Sequence, residues 1–304
     1  MVPGPCTAEY ATTHNVAQNG AHGAPASAAL HWAAVSRKSL HCYPASGAGV
    51  AAFFDLDKTI IAKSSAFAFS RQFLADGLIS PAMAVQMSFA QAAYMLHGHS
   101  EDKMDATRDQ LAAMVAGWDV THVRQIAFDT LHTVVTPAIY AEARDLIASH
   151  QAAGHRVIIV SASAMELVAP IAAELGADEV IATRLEIVDG RYTGTVVEFM
   201  KGPAKQAAVR QAAARLGLEV AHCFAYSDSA TDIPMLSSVG NPVAVNPDRP
   251  LRKHAVEHGW PVLVLKNPVP LFAKPTRSQV GVSTAAVAAL AAVAGTWWWS
   301  RRLL

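Results

Sequence analysis

The stretch Val50-Ala51-Ala52-Phe53-Phe54-Asp55-Leu56-Asp57-Lys58-Thr59 changes character in one step, from an unbroken apolar run to two carboxylates spaced two apart and a threonine. A run of this kind has no apolar/polar alternation, so it reads as a strand buried on both faces, as parallel strands are. The polar residues then fall at the carboxyl end of the strand, the edge where open α/β sheets bind ligands.

Three further runs end in the same way. Arg156 to Val160 stops at Ser161, Ala221 to Tyr226 stops at Ser227 and Asp228, and Pro242 to Val245 stops at Asn246. Pro261 to Leu265 is a last strand candidate. Between them lie alanine-rich stretches with amphipathic spacing, Pro137 to Gln151, Ala164 to Leu175 and Ala204 to Leu216, which predict helices. Alternation of strand and helix predicts an α/β fold with a doubly wound, Rossmann-like parallel sheet.

Two segments depart from that alternation. Residues 63 to about 136 form a long, mainly helical insertion between the first two strands, placed to act as a cap over the strand ends. Leu185 to Val197 reads as a hairpin turning at Asp189-Gly190, a dipeptide suited to a tight turn.

Outside these elements the chain is uneven. Residues 1–47 are rich in Ala, Gly, Ser, His and Pro without sustained periodicity and are expected to be disordered. They lack the apolar core of a secretory signal, which predicts a catalytic domain made and kept in the cytoplasm. The catalytic domain is expected over 48–266, followed by a proline-rich linker over 267–279. Residues 280–299 contain no charge, end in Trp297, Trp298 and Trp299, and precede Arg301 and Arg302. That length and pattern predict a C-terminal transmembrane helix, with a buried or amphipathic terminal helix as the alternative.

Composition narrows the function classes. The 304 residues are 52% hydrophobic and 16% charged with a formal net charge of zero, so no basic surface points to nucleic acid. A small, neutral or anionic metabolite is the better partner. The three cysteines, Cys6, Cys42 and Cys223, are far apart and form no CxxC or Cys/His ligand pattern. The thirteen histidines are scattered and supply no metal-ligand spacing.

The chemistry therefore rests on the strand ends. Of the pair Asp55 and Asp57, one carboxylate can attack phosphorus while the other protonates the leaving oxygen and later activates water; alternation along the chain would point both the same way. Ser161, at a strand end ahead of a helix, can hold phosphate oxygens with its hydroxyl and neighbouring N–H groups. Lys205, in the first turn of a helix, can neutralise a second oxygen, with Lys201 as a competitor. Asp228 and Asp232 add carboxylates at another strand end, which implies a hard cation such as magnesium.

In order and spacing, Asp55/Asp57/Thr59, then Ser161, then Lys205, then Asp228/Asp232 resemble the signature of the haloacid dehalogenase superfamily over about residues 50–265. The resemblance implies an aspartyl-phosphate intermediate on Asp55, Asp57 as acid and base, and Thr59, Ser161 and Lys205 holding the substrate phosphate. It also implies Mg²⁺ held by Asp55, Asp228 and the Asp57 carbonyl, with Asp232 acting through water or steadying the lysine. Dehalogenases lack the second aspartate and cation-pumping ATPases replace it with threonine, so Asp57 indicates a phosphatase.

The chain is most similar to the phosphoserine phosphatase-like subclass. True phosphoserine phosphatases carry a glutamate nine residues after the nucleophile, to read the substrate's amino group; here that residue is Ser64. The expected activity is hydrolysis of a small phosphorylated metabolite, possible members including phosphoserine-like esters. A phosphatase for a lipid-linked or glycerol phosphate at the membrane is an alternative, as is an inactive, membrane-tethered interaction protein. Arg71, His99 and Arg108 are candidate substrate contacts in the cap.

Overall fold

A sheet apolar on both faces must be covered on both, and the pattern of burial along its strands shows how this is done. The computed structural model describes residues 49–62, 64–80 and 112–266. Its centre is β1 (Ala51–Phe54), flanked in parallel by β2 (Arg156–Ala164) and β5 (Phe224–Ser227). With β3 (Glu179–Val188), β4 (Arg191–Glu198), β6 (Asn241–Val245) and β7 (Val262–Leu263) they form one sheet in the order β4-β3-β2-β1-β5-β6-β7. All neighbours are parallel except the β3/β4 hairpin.

Successive residues of a strand face opposite sides. Ala52 and Phe54 of β1, with Val157 and Ile159 of β2, enter one core cluster; Ala51 and Phe53, with Ile158 and Val160, enter the other. The first face is covered by α2 (Val120–Thr130), α3 (Ala141–Ala152) and α4 (Met165–Glu174), through Ile126, Leu146, Ile147 and Val168. The second is covered by α5 (Pro203–Leu216), α6 (Ile233–Leu236) and α7 (Arg249–Glu257), through Val209, Leu236 and Leu251. The doubly wound reading therefore holds.

Several boundaries differ from the sequence expectation. β2 runs past Ser161 to Ala164, because pairing with β3 continues across a register shift between those two residues. The third apolar run becomes a strand only at Phe224; residues 221–223 close a turn in which Cys223 N–H bonds the Val220 carbonyl. The hairpin turns at Asp189 and Gly190, both with positive φ (50° and 75°), as a two-residue turn of the primed kind requires. Its first strand begins six residues earlier than expected and joins the parallel sheet through Glu179 to Thr183.

The insertion is helical where it is described. α1 (Ser65–Ala75), a helical segment at 112–115 and α2 precede one turn of π-helix (Leu131–Val135) and one of 3-10 helix (Thr136–Ala138). Helix α3 starts at Ala141 rather than Pro137, since Pro137 sits inside the 3-10 turn. The expectations for 1–47, for the linker 267–279 and for the transmembrane helix 280–299 lie outside the described residues. Among the described residues no helix is long and apolar enough to cross a membrane.

Beneath β1, Phe54 stacks on Tyr226 at a ring separation of 4.5 Å. The Tyr226 hydroxyl lies 2.8 Å from His150 Nε2, whose other ring nitrogen is 2.9 Å from His155 Nδ1. Burial, with the neighbouring His155, holds His150 down to about 3, so the ring is neutral and packs as a polar core residue. The same reading suits Cys223, a buried free thiol whose Sγ accepts the Ala51 N–H at 3.4 Å.

Candidate active site

Strand β1 ends at Phe54, and Asp55 is the first residue beyond it. Its N–H still bonds the Tyr226 carbonyl of β5 at 2.9 Å, which fixes the carboxylate against the sheet edge. The chain then turns sharply: Ile60 and Ile61 both donate to the Leu56 carbonyl, and Lys58 takes a positive φ of 64°. This turn brings Thr59 back, and its hydroxyl donates to Asp55 Oδ2 at 3.0 Å.

Lys205 occupies the other oxygen. Gly202 caps α5 with φ 57°, a backbone open to glycine, and Pro203 starts the helix. Lys205 is thereby set in the first turn, 2% exposed, with Nζ donating to Asp55 Oδ1 at 2.6 Å and to Asp232 Oδ2 at 2.7 Å. Ser227, the last residue of β5, also donates to Asp232 Oδ2 at 2.7 Å. One ammonium thus bridges two buried carboxylates.

The electrostatics follow from that burial. Burial pushes Asp55 up to about 6; Lys205 pulls it back, and Asp232 and Asp57 push it further. Burial opposes the charge on Lys205, but Asp232 and Asp55 outweigh it and the group is held above its ordinary value. Asp228 is pushed up to about 8, first by burial and then by the charge of Asp55. Asp55 and Asp228 repel each other at the sheet edge, and the one buried lysine is shared between Asp55 and Asp232, so the pair forms a donor set that suits a small divalent cation.

Among the described residues no three His, Cys, Asp or Glu side chains gather into a ligating group. The available set is accordingly sparse: Asp55, Asp228 and main-chain oxygen. That suits magnesium, which keeps several waters and takes few carboxylates, better than zinc.

Asp57 behaves differently from Asp55. It accepts the Ser65 N–H at 2.7 Å, the Ser163 hydroxyl at 2.9 Å and the Ser65 hydroxyl at 3.2 Å, with Ser64 Oγ at 3.5 Å. Ser64, the N-cap of α1, makes no side-chain cap bond of its own; Asp57 supplies the carboxylate that this helix start favours. Alternation would have aimed both aspartates the same way, but both lie past the end of the strand, and the turn separates their contacts. One carboxylate is held by a lysine and the other by serines.

Ser161 is buried, and its Oγ accepts the Ser163 N–H at 3.1 Å. The register shift after Ser161 sets Ser163 toward Asp57 and Ser65, its Oγ 2.7 Å from Ser65 Oγ. Ser65, Ser163 and Ser227 are members of the site that sequence reasoning missed. The second serine of Ser161-Ala162-Ser163 was the available signal. Arg71 is exposed, and His99 and Arg108 lie outside the described residues.

Residues 52–237 match the family model of haloacid dehalogenase-like hydrolases. A probable phosphatase of Mycobacterium tuberculosis is 50% identical over 248 residues, 81% of this chain and 86% of that one. The phosphoserine phosphatase SerB1 of the same organism is 36% identical over 245 residues, covering 79% and 80% of the two chains. A crystal structure of a protein of unknown function from Bordetella pertussis superposes with a TM-score of 0.63 at 26% identity, over 74% of this chain and all of that one.

Proposed function

The chain belongs to the haloacid dehalogenase-like hydrolases, and from that premise we propose that it is a Mg²⁺-dependent phosphomonoester hydrolase working through an aspartyl phosphate on Asp55. The relatives named as phosphatases support the reaction class. The observation that carries the reading is the division of labour between the two aspartates: Asp55 bridged through Lys205 to Asp232, Asp57 held apart by Ser65 and Ser163.

Asp55 attacks phosphorus in line with the leaving oxygen, and its carboxylate oxygen forms the new bond. Lys205 holds that carboxylate ionised and, with Thr59 and Ser161, donates to the phosphoryl oxygens as charge develops on them. Asp57 gives its proton to the departing alcohol and then takes one from the water that hydrolyses the aspartyl phosphate. The serines around Asp57 hold it in place for both transfers. Asp55, Asp228 and the Asp57 carbonyl would hold the cation, which supplies charge neutralisation at the transferring group when bound.

A small phosphorylated metabolite is the substrate class. Ser64, at the position where phosphoserine phosphatases carry their glutamate, faces Asp57 and offers no charge for an ammonium group. The membrane anchor over 280–299 belongs to the same proposal, supported by its length and lack of charge.

The test is Asp55→Asn with Mg²⁺ and p-nitrophenyl phosphate. Wild type should release phosphate and accumulate an acid-stable, hydroxylamine-labile phosphoenzyme. The variant should do neither and keep its thermal unfolding transition. Turnover in the variant would sink the assignment, and no turnover in wild type on any ester would favour a silent interaction protein.

A further inference from the structure

A cavity of about 260 Å³ opens beside the candidate active site, and its wall includes Ser64 and Ser163, two of the residues that hold Asp57. On the phosphatase reading, Asp57 protonates the leaving oxygen, so the leaving alcohol extends from Asp57 into this space. Among the described lining residues the rest of the wall is mainly apolar, dominated by Phe73, Ile79, Trp118, Leu167, Leu185 and Val196, with Thr183 and Tyr192 as its neutral polar members. Lys201 is the one charged residue among the described lining residues. Its ammonium feels the charges of Asp232, Lys205 and Lys58, which places it toward the phosphoryl end.

We propose that the leaving group taken by this site is an apolar alkyl or aryl alcohol, so that the substrate is a phosphomonoester with a hydrophobic tail rather than an amino-acid phosphate. Burying an ammonium against these walls without a carboxylate costs several kcal/mol, and no described lining residue is Asp or Glu. A methylene placed in the same space gains. This inference rests on the phosphatase reading and deepens it.

The size of the space bounds the tail. At about 30 Å³ per non-hydrogen atom, the cavity takes on the order of nine atoms. Each methylene added up to that limit should raise kcat/KM about fourfold, the equivalent of about 0.8 kcal/mol per buried methylene.

The experiment measures phosphate release by the full chain with Mg²⁺ from ethyl, butyl, hexyl and octyl phosphate, beside glycerol 3-phosphate and O-phosphoserine. A rise of about 250-fold from butyl to octyl, with phosphoserine below hexyl phosphate, is the expected result. Val196→Asp, which puts a carboxylate in the wall, should cut the octyl/ethyl ratio at least about tenfold. A second arm offers lysophosphatidate in phosphatidylcholine vesicles. Faster turnover there than with octyl phosphate assigns the tail to a lipid; slower turnover assigns it to a soluble ester.

A flat alkyl series, a preference for phosphoserine, or an octyl/ethyl ratio unmoved by Val196→Asp overturns the inference while leaving the phosphatase reading intact. Hydrolysis of none of the esters, p-nitrophenyl phosphate included, overturns both.

Discussion

Replacing Lys205 by methionine tests the electrostatic core of the site without adding bulk. In the native chain one buried ammonium neutralises Asp55 at 2.6 Å and Asp232 at 2.7 Å. Removing it leaves two buried carboxylates uncompensated, and breaking a buried pair in this way costs about 3 to 5 kcal/mol. At about 2 to 4 °C per kcal/mol for a domain of this size, the midpoint of thermal unfolding should fall by about 6 to 20 °C.

The loss must depend on pH, in a direction the structure sets. Asp55 already stands at about 6 with the lysine present, and Lys205 is the largest influence pulling it down. Without the lysine it rises further and is protonated at pH 5, where one of the two uncompensated charges disappears. The destabilisation should therefore be full near pH 8.5 and about half of that at pH 5, measured by calorimetry with a chelator present so that no cation replaces the ammonium. Adding Asp232→Asn should recover about 1 to 3 kcal/mol at the higher pH. A Lys205→Met protein as stable as wild type at pH 8.5, or one whose loss grows as pH falls, would refute the reasoning.

Two other expectations concern the same site. Asp57→Asn should lower kcat about 10²- to 10⁴-fold on an alkyl phosphate, whose leaving group needs a proton, and far less on p-nitrophenyl phosphate; equal losses on both would remove Asp57 from the acid role. Burial raises Asp55 to about 6 and Asp228 to about 8, so the metal-free folded chain keeps protons that the unfolded chain has lost above about pH 4, and the stability these groups contribute falls as pH rises through 8. Mg²⁺ should reverse that fall by binding the ionised pair, giving a small rise in melting temperature at pH 5.5 and the full rise above pH 8; a pH-independent rise would place the cation elsewhere.

How much of this was legible in the residues depends on the range of the forces involved. Burial on both faces leaves a local mark, an apolar run, so β1, β2, β5 and β6 and the polar residues at their ends could be read directly. The alternation of these runs with amphipathic stretches sufficed for the doubly wound sheet. Strand β3 was read only in its hairpin half, because Glu179, Thr183 and Arg184 break the apolar run and its pairing with β2 is what makes it a strand.

The site divides in the same way. That Asp55, Asp57, Ser161, Lys205 and Asp228 are candidates for one constellation follows from their order and from the rule that strand ends converge, both properties of the chain itself. Which of them touch does not. Lys205 reaches Asp55 across 150 residues of sequence and Ser163 reaches Asp57 across 106, contacts made only when the parallel sheet closes. The same closure sets Phe73, Trp118 and Val196 around one cavity. A local sequence states what a residue can do chemically and whether its neighbours are buried. Only the fold decides which distant groups share a desolvated space, and there the charges of Asp55 and Lys205, and the apolar wall beside Asp57, acquire their effect.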